Sequence, residues 1–222
     1  MKARVGIFGG TFNPIHIGHL RAAEEVVEAL ELERMIFVPS AEPPHKQPAL
    51  RDPIAPAAER LAWARAAVRD NPRFEVDPLE VERGGPSYSV ETLRALGARS
   101  GPEPPVFAIG QDAFLEVGSW REPRALVRLA HFAVITRPPA TRRPLAEWLP
   151  AELRGEVVLA PDGRSARHRE AETWIQVVEI TALDISASEI RRRLREGRSV
   201  RYLLPEAVRR AVEASGVYGR GA

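Results

Sequence analysis

Val5-Gly6-Ile7-Phe8-Gly9-Gly10-Thr11-Phe12-Asn13-Pro14-Ile15-His16-Ile17-Gly18-His19 sets a short apolar run, a glycine turn and two histidines in that order. The run 5–8 has the continuous apolar character of a buried strand. Gly9 and Gly10 let the chain turn sharply off that strand and approach a bound group closely. A helix that begins near Ile17 then aims its free N–H groups and the positive end of its dipole at the same point. His16 and His19, spaced i and i+3 at that helix start, share one face and add two side-chain donors. A turn, a helix terminus and an imidazole pair that converge make a nucleotide-phosphate site, with Gly9, Gly10, Thr11, Phe12, His16 and His19 as its candidates. The other reading of the same residues is a strand-to-helix turn whose histidines cap and pack.

Outward from this stretch, apolar runs at 5–8, 35–38, 106–109 and 132–135 alternate with helical patterns at 20–30, 57–68, 90–96 and 123–129. That alternation predicts an α/β fold, a Rossmann-like open parallel sheet with helices on both faces. Such sheets bind ligands at the C-terminal ends of their strands, and Gly9-Gly10, Pro39-Ser40, Gly110-Gln111-Asp112 and Thr136-Arg137-Pro138 each follow an expected strand. Residues 138–172, rich in Pro, Arg and Glu, read as a surface excursion with a helix at 144–153 and a short strand at 157–159. A strand at 175–180 returns to the sheet. Beyond Asp184 the pattern is helical, 188–196 ended by Gly197 and 205–215 ended by Gly216. The expected organisation is a core over 1–183 with a small C-terminal helical cap, 184–222, in the same domain.

Composition narrows the class. The 222 residues are 44% hydrophobic with a formal charge of +2, which suits one well-packed domain and gives no reason to expect nucleic acid. The basic clusters Arg191-Arg192-Arg193-Leu194-Arg195 and Arg164-Ser165-Ala166-Arg167-His168-Arg169 lack interleaved aromatics, so a solvated face accounts for most of them. With no cysteine, disulfides and thiolate metal sites are excluded, as suits a reducing cytosol. The N-terminus enters a strand at once and no apolar run approaches spanning length, so a cytoplasmic protein without signal peptide or membrane contact is expected. Oligomeric state is open, a homo-oligomer included.

Further motifs carry chemistry. Ile185-Ser186-Ala187-Ser188-Glu189-Ile190-Arg191 places hydroxyls at a helix N-terminus and an arginine one turn later, a second anion site on the logic of the first. Alone, it is also an ordinary Ser-capped basic helix. Ser40-Ala41-Glu42-Pro43-Pro44-His45-Lys46 is a stiff proline turn delivering an imidazole and an ammonium, or else an exposed basic loop. Pro86-Ser87-Tyr88-Ser89-Val90-Glu91-Thr92-Leu93 reads as a capped helix start with Glu91 in its first turn. Trp120 stands eight residues beyond Asp112, whereas Trp63, Trp148 and Trp174 read as core.

The first loop, Gly10 to His19, resembles the nucleotidyltransferases whose loop reads G-x-F-x-P-x-H-x-G-H, distant relatives of the class I aminoacyl-tRNA synthetases. Pantetheine-phosphate adenylyltransferases and glycerol-phosphate cytidylyltransferases share versions of it. The ordered set of motifs from Val5 to about Leu204, with Pro-Pro-His-Lys, Ser-Tyr and Trp120, resembles the bacterial nicotinate-nucleotide adenylyltransferases more narrowly. That resemblance implies roles. Ser186, Ser188 and Arg191 would close over the ATP β- and γ-phosphates, and Gly110 and Asp112 would meet the adenosine. Ser40, Lys46 and Arg137 would serve the mononucleotide, the last two as a clamp on its 5′-phosphate. Ser89 would face the pyridine carboxylate and Trp120 stack on the pyridine ring. Ser89 stands where threonine is usual in the family, so the hydroxyl is kept without its methyl.

The implied reaction joins ATP and nicotinate mononucleotide into nicotinate adenine dinucleotide and pyrophosphate, a step of NAD biosynthesis, by direct attack on the α-phosphorus. A phosphate monoester has a second pKa of about 6, so the attacking oxygen is already ionised at pH 7 and needs no base. His16 and His19 are then donors to the transferring phosphoryl, His19 the more direct, and Arg191 holds the leaving group. No carboxylate cluster marks a metal cage, so Mg²⁺ is expected to arrive with ATP. His16 and His19 lack further ligands for zinc. Two other readings stay open: preference for nicotinamide mononucleotide, and a non-catalytic nucleotide sensor that keeps the fold.

Overall fold

In a computed structural model that describes residues 4–44, 53–136 and 143–219, the chain opens with β1 (Val5–Gly10), α1 (Ile17–Ala29), β2 (Arg34–Pro39), α2 (Ala57–Val68) and β3 (Phe74–Val76). It continues through α3 (Leu79–Arg83), α4 (Ser89–Gly97), β4 (Val106–Gly110), α5 (Gln111–Leu115), α6 (Pro123–Leu129) and β5 (His131–Thr136). The excursion holds α7 (Leu145–Trp148), β6 (Val157–Leu159) and β7 (Ser165–His168); β8 (Trp174–Glu179), α8 (Ala187–Arg195) and α9 (Glu206–Ser215) follow. Across the sheet the strands neighbour one another as β3-β2-β1-β4-β5-β8-β7-β6.

The expected parallel centre is present. β1, β4, β5 and β8 pair in parallel, with Gly6 opposite Val106, Val106 opposite His131 and Phe132 opposite Ile175. All six residues of β5 are buried, as a strand covered on both faces requires. The edge departs from the expected all-parallel sheet. β8 pairs antiparallel with β7, and β7 with β6, so the excursion returns as a hairpin on the sheet. The helix expected at 144–153 is cut short. α7 ends at Trp148 and a separate 3₁₀ turn follows at Ala151–Leu153, because Pro150 lacks the N–H a continuous helix needs.

Contacts group the chain into two compact units, Met1–Gly9, Ala23–Met35 and Tyr88–Ala182 in the first, Gly10–Ala22, Ile36–Ser87 and Leu183–Ala222 in the second. In the first, Phe107, Phe132, Phe114 and Trp148 form a chain of edge-on ring contacts at 5.5, 6.0 and 5.6 Å. Trp174 is only half-buried, stacked on His131 at 4.5 Å. In the second, α2 and α9 pack together, and Trp63 from α2 meets Tyr218 just beyond α9 at 6.0 Å. Among the described residues no helix is long and apolar enough to cross a membrane.

Candidate functional site

The loop after β1 is built around a strained aromatic. Phe12 holds φ at 46°, the left-handed region that side chains avoid, and is buried with its ring edge-on to His19 at 5.2 Å and tilted against Phe37 at 5.8 Å. A Cβ on Gly10 would lie 3.0 Å from that ring, so the glycine makes room for it. The Gly10 carbonyl accepts the Ser40 N–H at 3.0 Å, which joins the ends of β1 and β2.

Asn13 is the hub of the same loop. Its Oδ1 accepts the Ala55 N–H at 2.9 Å and the Tyr218 hydroxyl, and its Nδ2 donates to the Pro53 carbonyl at 3.0 Å. Arg60 is 1% exposed and donates to three carbonyls: Nε to Ala55 at 2.8 Å, one terminal nitrogen to Thr11 at 2.7 Å, the other to Ala41 at 2.8 Å. Burial pulls its pKa below the usual arginine value, against the raising influence of Tyr218 and then Glu80. Asn13, Arg60 and Tyr218 were not singled out from sequence, since only tertiary packing reveals what they touch.

His16 and His19 come together as their spacing implies. The His16 carbonyl accepts the His19 and Leu20 N–H groups and starts α1, and the two rings stack at 3.7 Å, 26° apart. The His16 backbone N–H donates to His19 Nδ1 at 3.2 Å, so Nδ1 is the acceptor and the ring proton of the neutral tautomer sits on Nε2. His16 is buried and His19 half-buried. A Cβ on Gly18 would lie 3.0 Å from His16 Nδ1, so the glycine of the motif leaves space for that ring. One feature departs from expectation. The Ile17 N–H, read as free for an anion, donates to the Leu203 carbonyl at 3.0 Å.

The second anion motif joins the first. Ser186 caps α8 by accepting the Glu189 N–H at 3.2 Å. Arg191, largely buried, donates to the Asn13 carbonyl at 2.7 Å and to Ser188 Oγ at 3.1 Å, so it braces the first loop from α8. Ser186 and Ser188 are exposed. The neighbouring basic residues are paired: Arg192 bonds Glu189 and Glu196, and Arg193 bonds Glu189.

Ser40 is buried, and its hydroxyl makes no hydrogen bond among the described residues. Ser87 Oγ accepts the Ala41 N–H at 2.9 Å. The expected side-chain cap on α4 is therefore not made: Ser87 is spent on Ala41, and the N-cap residue Tyr88 makes no such bond. In the first unit, Gly110 and Asp112 are exposed at the end of β4 and the start of α5. Ser89 is the first residue of α4, and Trp120 is half-buried. Arg121, next to Trp120 in the chain, bonds Glu91 at 2.9 Å and lies 4.8 Å over the Tyr88 ring, while Arg94 pairs with Glu122. Lys46 and Arg137 lie outside the described residues. Among the described residues no three His, Cys, Asp or Glu side chains gather where one ion could be held.

The cytidylyltransferase-like family profile matches residues 7–193. The probable nicotinate-nucleotide adenylyltransferase of Geotalea daltonii is 41% identical over 218 residues, covering 98% of this chain and 99% of its own. The protein of the same name from Chromohalobacter salexigens is 43% identical over 217 residues, covering 97% and 96%. The structure of Plasmodium falciparum nicotinic acid mononucleotide adenylyltransferase complexed with NaAD superposes with a TM-score of 0.72 over 97% of each chain. At 15% identity this is a likeness of fold.

Proposed function

The chain belongs to the cytidylyltransferase-like family as a nicotinate-nucleotide adenylyltransferase of NAD biosynthesis, and we propose that it works by a single in-line displacement. An oxygen of the nicotinate mononucleotide 5′-phosphate attacks the ATP α-phosphorus. The new O–P bond forms as the bond to the bridging oxygen of the β-phosphate breaks, and pyrophosphate leaves with that electron pair. No group of the protein is covalently bonded.

The attacking phosphate is ionised at neutral pH, so the barrier lies in bringing anions into line and in the charge developing on the transferring and leaving groups. The observation that carries this reading is the His16 N–H to His19 Nδ1 bond at 3.2 Å. It orients His19 as an Nε2–H donor, suited to an α-phosphoryl oxygen and unsuited to taking a proton at that nitrogen. His19 is the more accessible of the pair and takes the direct contact, with His16 stacked behind it. Ser186 and Ser188, exposed at the start of α8, receive the β- and γ-phosphates together with Arg191. Gly110 and Asp112 take the adenosine. Ser40, Lys46 and Arg137 serve the mononucleotide phosphate, and Ser89 and Trp120 its pyridine. Mg²⁺ enters as part of the Mg-ATP substrate, coordinated mostly by phosphate and water.

The test is stereochemical. With ATP carrying a chiral α-thiophosphate and nicotinate mononucleotide as acceptor, one displacement inverts the α-phosphorus. Net retention would mean two displacements and a covalent enzyme intermediate. Pyrophosphate release with nicotinate mononucleotide, nicotinamide mononucleotide and phosphopantetheine in parallel is expected to favour the first; a preference for either of the others would move the acceptor assignment and leave the displacement untouched.

A further inference from the structure

Helix α2 contributes a buried cation to the underside of two loops. The planar guanidinium of Arg60 donates from one terminal nitrogen to Thr11, in the loop after β1, and from the other to Ala41, directly after Ser40 at the end of β2. The third bond, Nε to the Ala55 carbonyl, anchors the group in a residue whose own N–H holds Asn13 Oδ1. Asn13 in turn offers its carbonyl to Arg191. Ala41 is held from its other side by Ser87 Oγ. A guanidinium presents its donors in a rigid fork, so the spacing of the two carbonyls is fixed by the side chain itself.

We propose that Arg60 is a positioning residue for the adenylyl transfer, setting the loop 11–13 and the loop 40–41 at one fixed separation so that the two phosphates they serve meet in line. This rests on the assignment of the first loop to ATP and the second to the mononucleotide. The geometry separates Arg60 from a cation that acts through charge alone, because a lysine has the charge but one compact ammonium on a flexible stem and no fork. Kinetics far below the melting temperature separate it from a residue that only stabilises the fold, since alignment affects turnover there and stability does not.

Arg60→Lys is the informative variant. Misplacement of reacting groups by about 1 Å costs on the order of 10²-fold in rate. The expected result is therefore a kcat lowered by about 10²-fold at a temperature where the variant is fully folded by circular dichroism, with KM for each substrate and Kd for a non-hydrolysable ATP analogue within about 3-fold of wild type. A lowered Tm with kcat unchanged would reduce Arg60 to a structural role and overturn the proposal. If the lysine variant does not fold, Arg60→Gln, which buries no charge, takes its place with the same expectation; failure of both to fold also overturns it. A wild-type protein that fails to release pyrophosphate from ATP and nicotinate mononucleotide would instead remove the loop assignment beneath the inference.

Discussion

At the scale of single residues, the hydrogen bond into His19 Nδ1 makes a prediction that distinguishes a donor from a base. Removal of one preorganised donor to a developing anion costs about 10²–10³-fold in kcat, and His19→Ala is expected to show a loss of that order. His19 is half-buried, so its loss should change Tm little. His19→Gln keeps an N–H donor of similar reach and should retain more activity than the alanine variant. Steady-state pyrophosphate release checks both. Equal activities, with the acidic limb of the wild-type pH profile lost in each, would make His19 a base. Residues were legible where chemistry and spacing coincide, as for the stacking of His16 and His19 at the start of α1 and the Ser186 cap on α8. Arg60 was not. It is one of three arginines on or just after α2, with Arg65 and Arg69, and nothing in its type or spacing says that it alone reaches under two loops while Leu61, Trp63, Ala64 and Val68 fill the core.

At the scale of elements, the start of β5 carries a buried titratable group away from the reaction. His131 accepts the Trp174 N–H at Nδ1, 3.2 Å away, and stacks on the indole with the planes 11° apart, so β5 and β8 meet through an uncharged imidazole. Burial first, then the Arg4 charge, pushes its pKa down to about 4 from an ordinary 6.5. In the unfolded chain the ring protonates near 6.5, and between there and 4 the unfolded state binds a proton that the folded state does not. The contribution to stability is thus complete above pH 6.5 and lost as pH falls towards 4. Urea midpoints should fall from pH 7.5 to pH 5, and His131→Gln should flatten that fall; an unchanged slope would show that His131 does not set it. Glu206, whose pKa ion pairing with Arg209 and Arg210 lowers from 4.5 to about 2, acts between those values and so below the pH 7.5 to pH 5 comparison. Elements were legible in proportion to their apolar content. The continuous runs of β1, β4 and β5 announce themselves, whereas β7 is Ser165-Ala166-Arg167-His168, with only Ala166 and His168 buried, and it reads as a basic cluster until β8 lies beside it.

At the scale of the whole molecule, the assigned residues are unevenly divided. The groups proposed for the phosphates, Gly10 to Phe12, His16, His19, Ser186, Ser188 and Arg191, fall in the second unit; Gly110, Asp112, Ser89 and Trp120 fall in the first. Ligand binding stabilises the segments it touches against local opening, by about 2.7 kcal/mol at 100 times Kd if the ligand does not bind the opened form. Amide hydrogen exchange should therefore map the two substrates separately. A non-hydrolysable ATP analogue with Mg²⁺ is expected to slow exchange at 10–20, at 185–191 and at 110–112. Nicotinate mononucleotide alone should protect 88–90 and 119–121, and nicotinamide mononucleotide should protect 88–90 less if Ser89 and the backbone beside it recognise the carboxylate. If the mononucleotide protected the histidine loop and left the start of α4 unchanged, the assignment of Ser89 and Trp120 would fall while that of the phosphate loop stood. Protection by the ATP analogue confined to 110–112 would do the reverse, because His16, His19 and Arg191 would then brace a loop that no phosphate reaches.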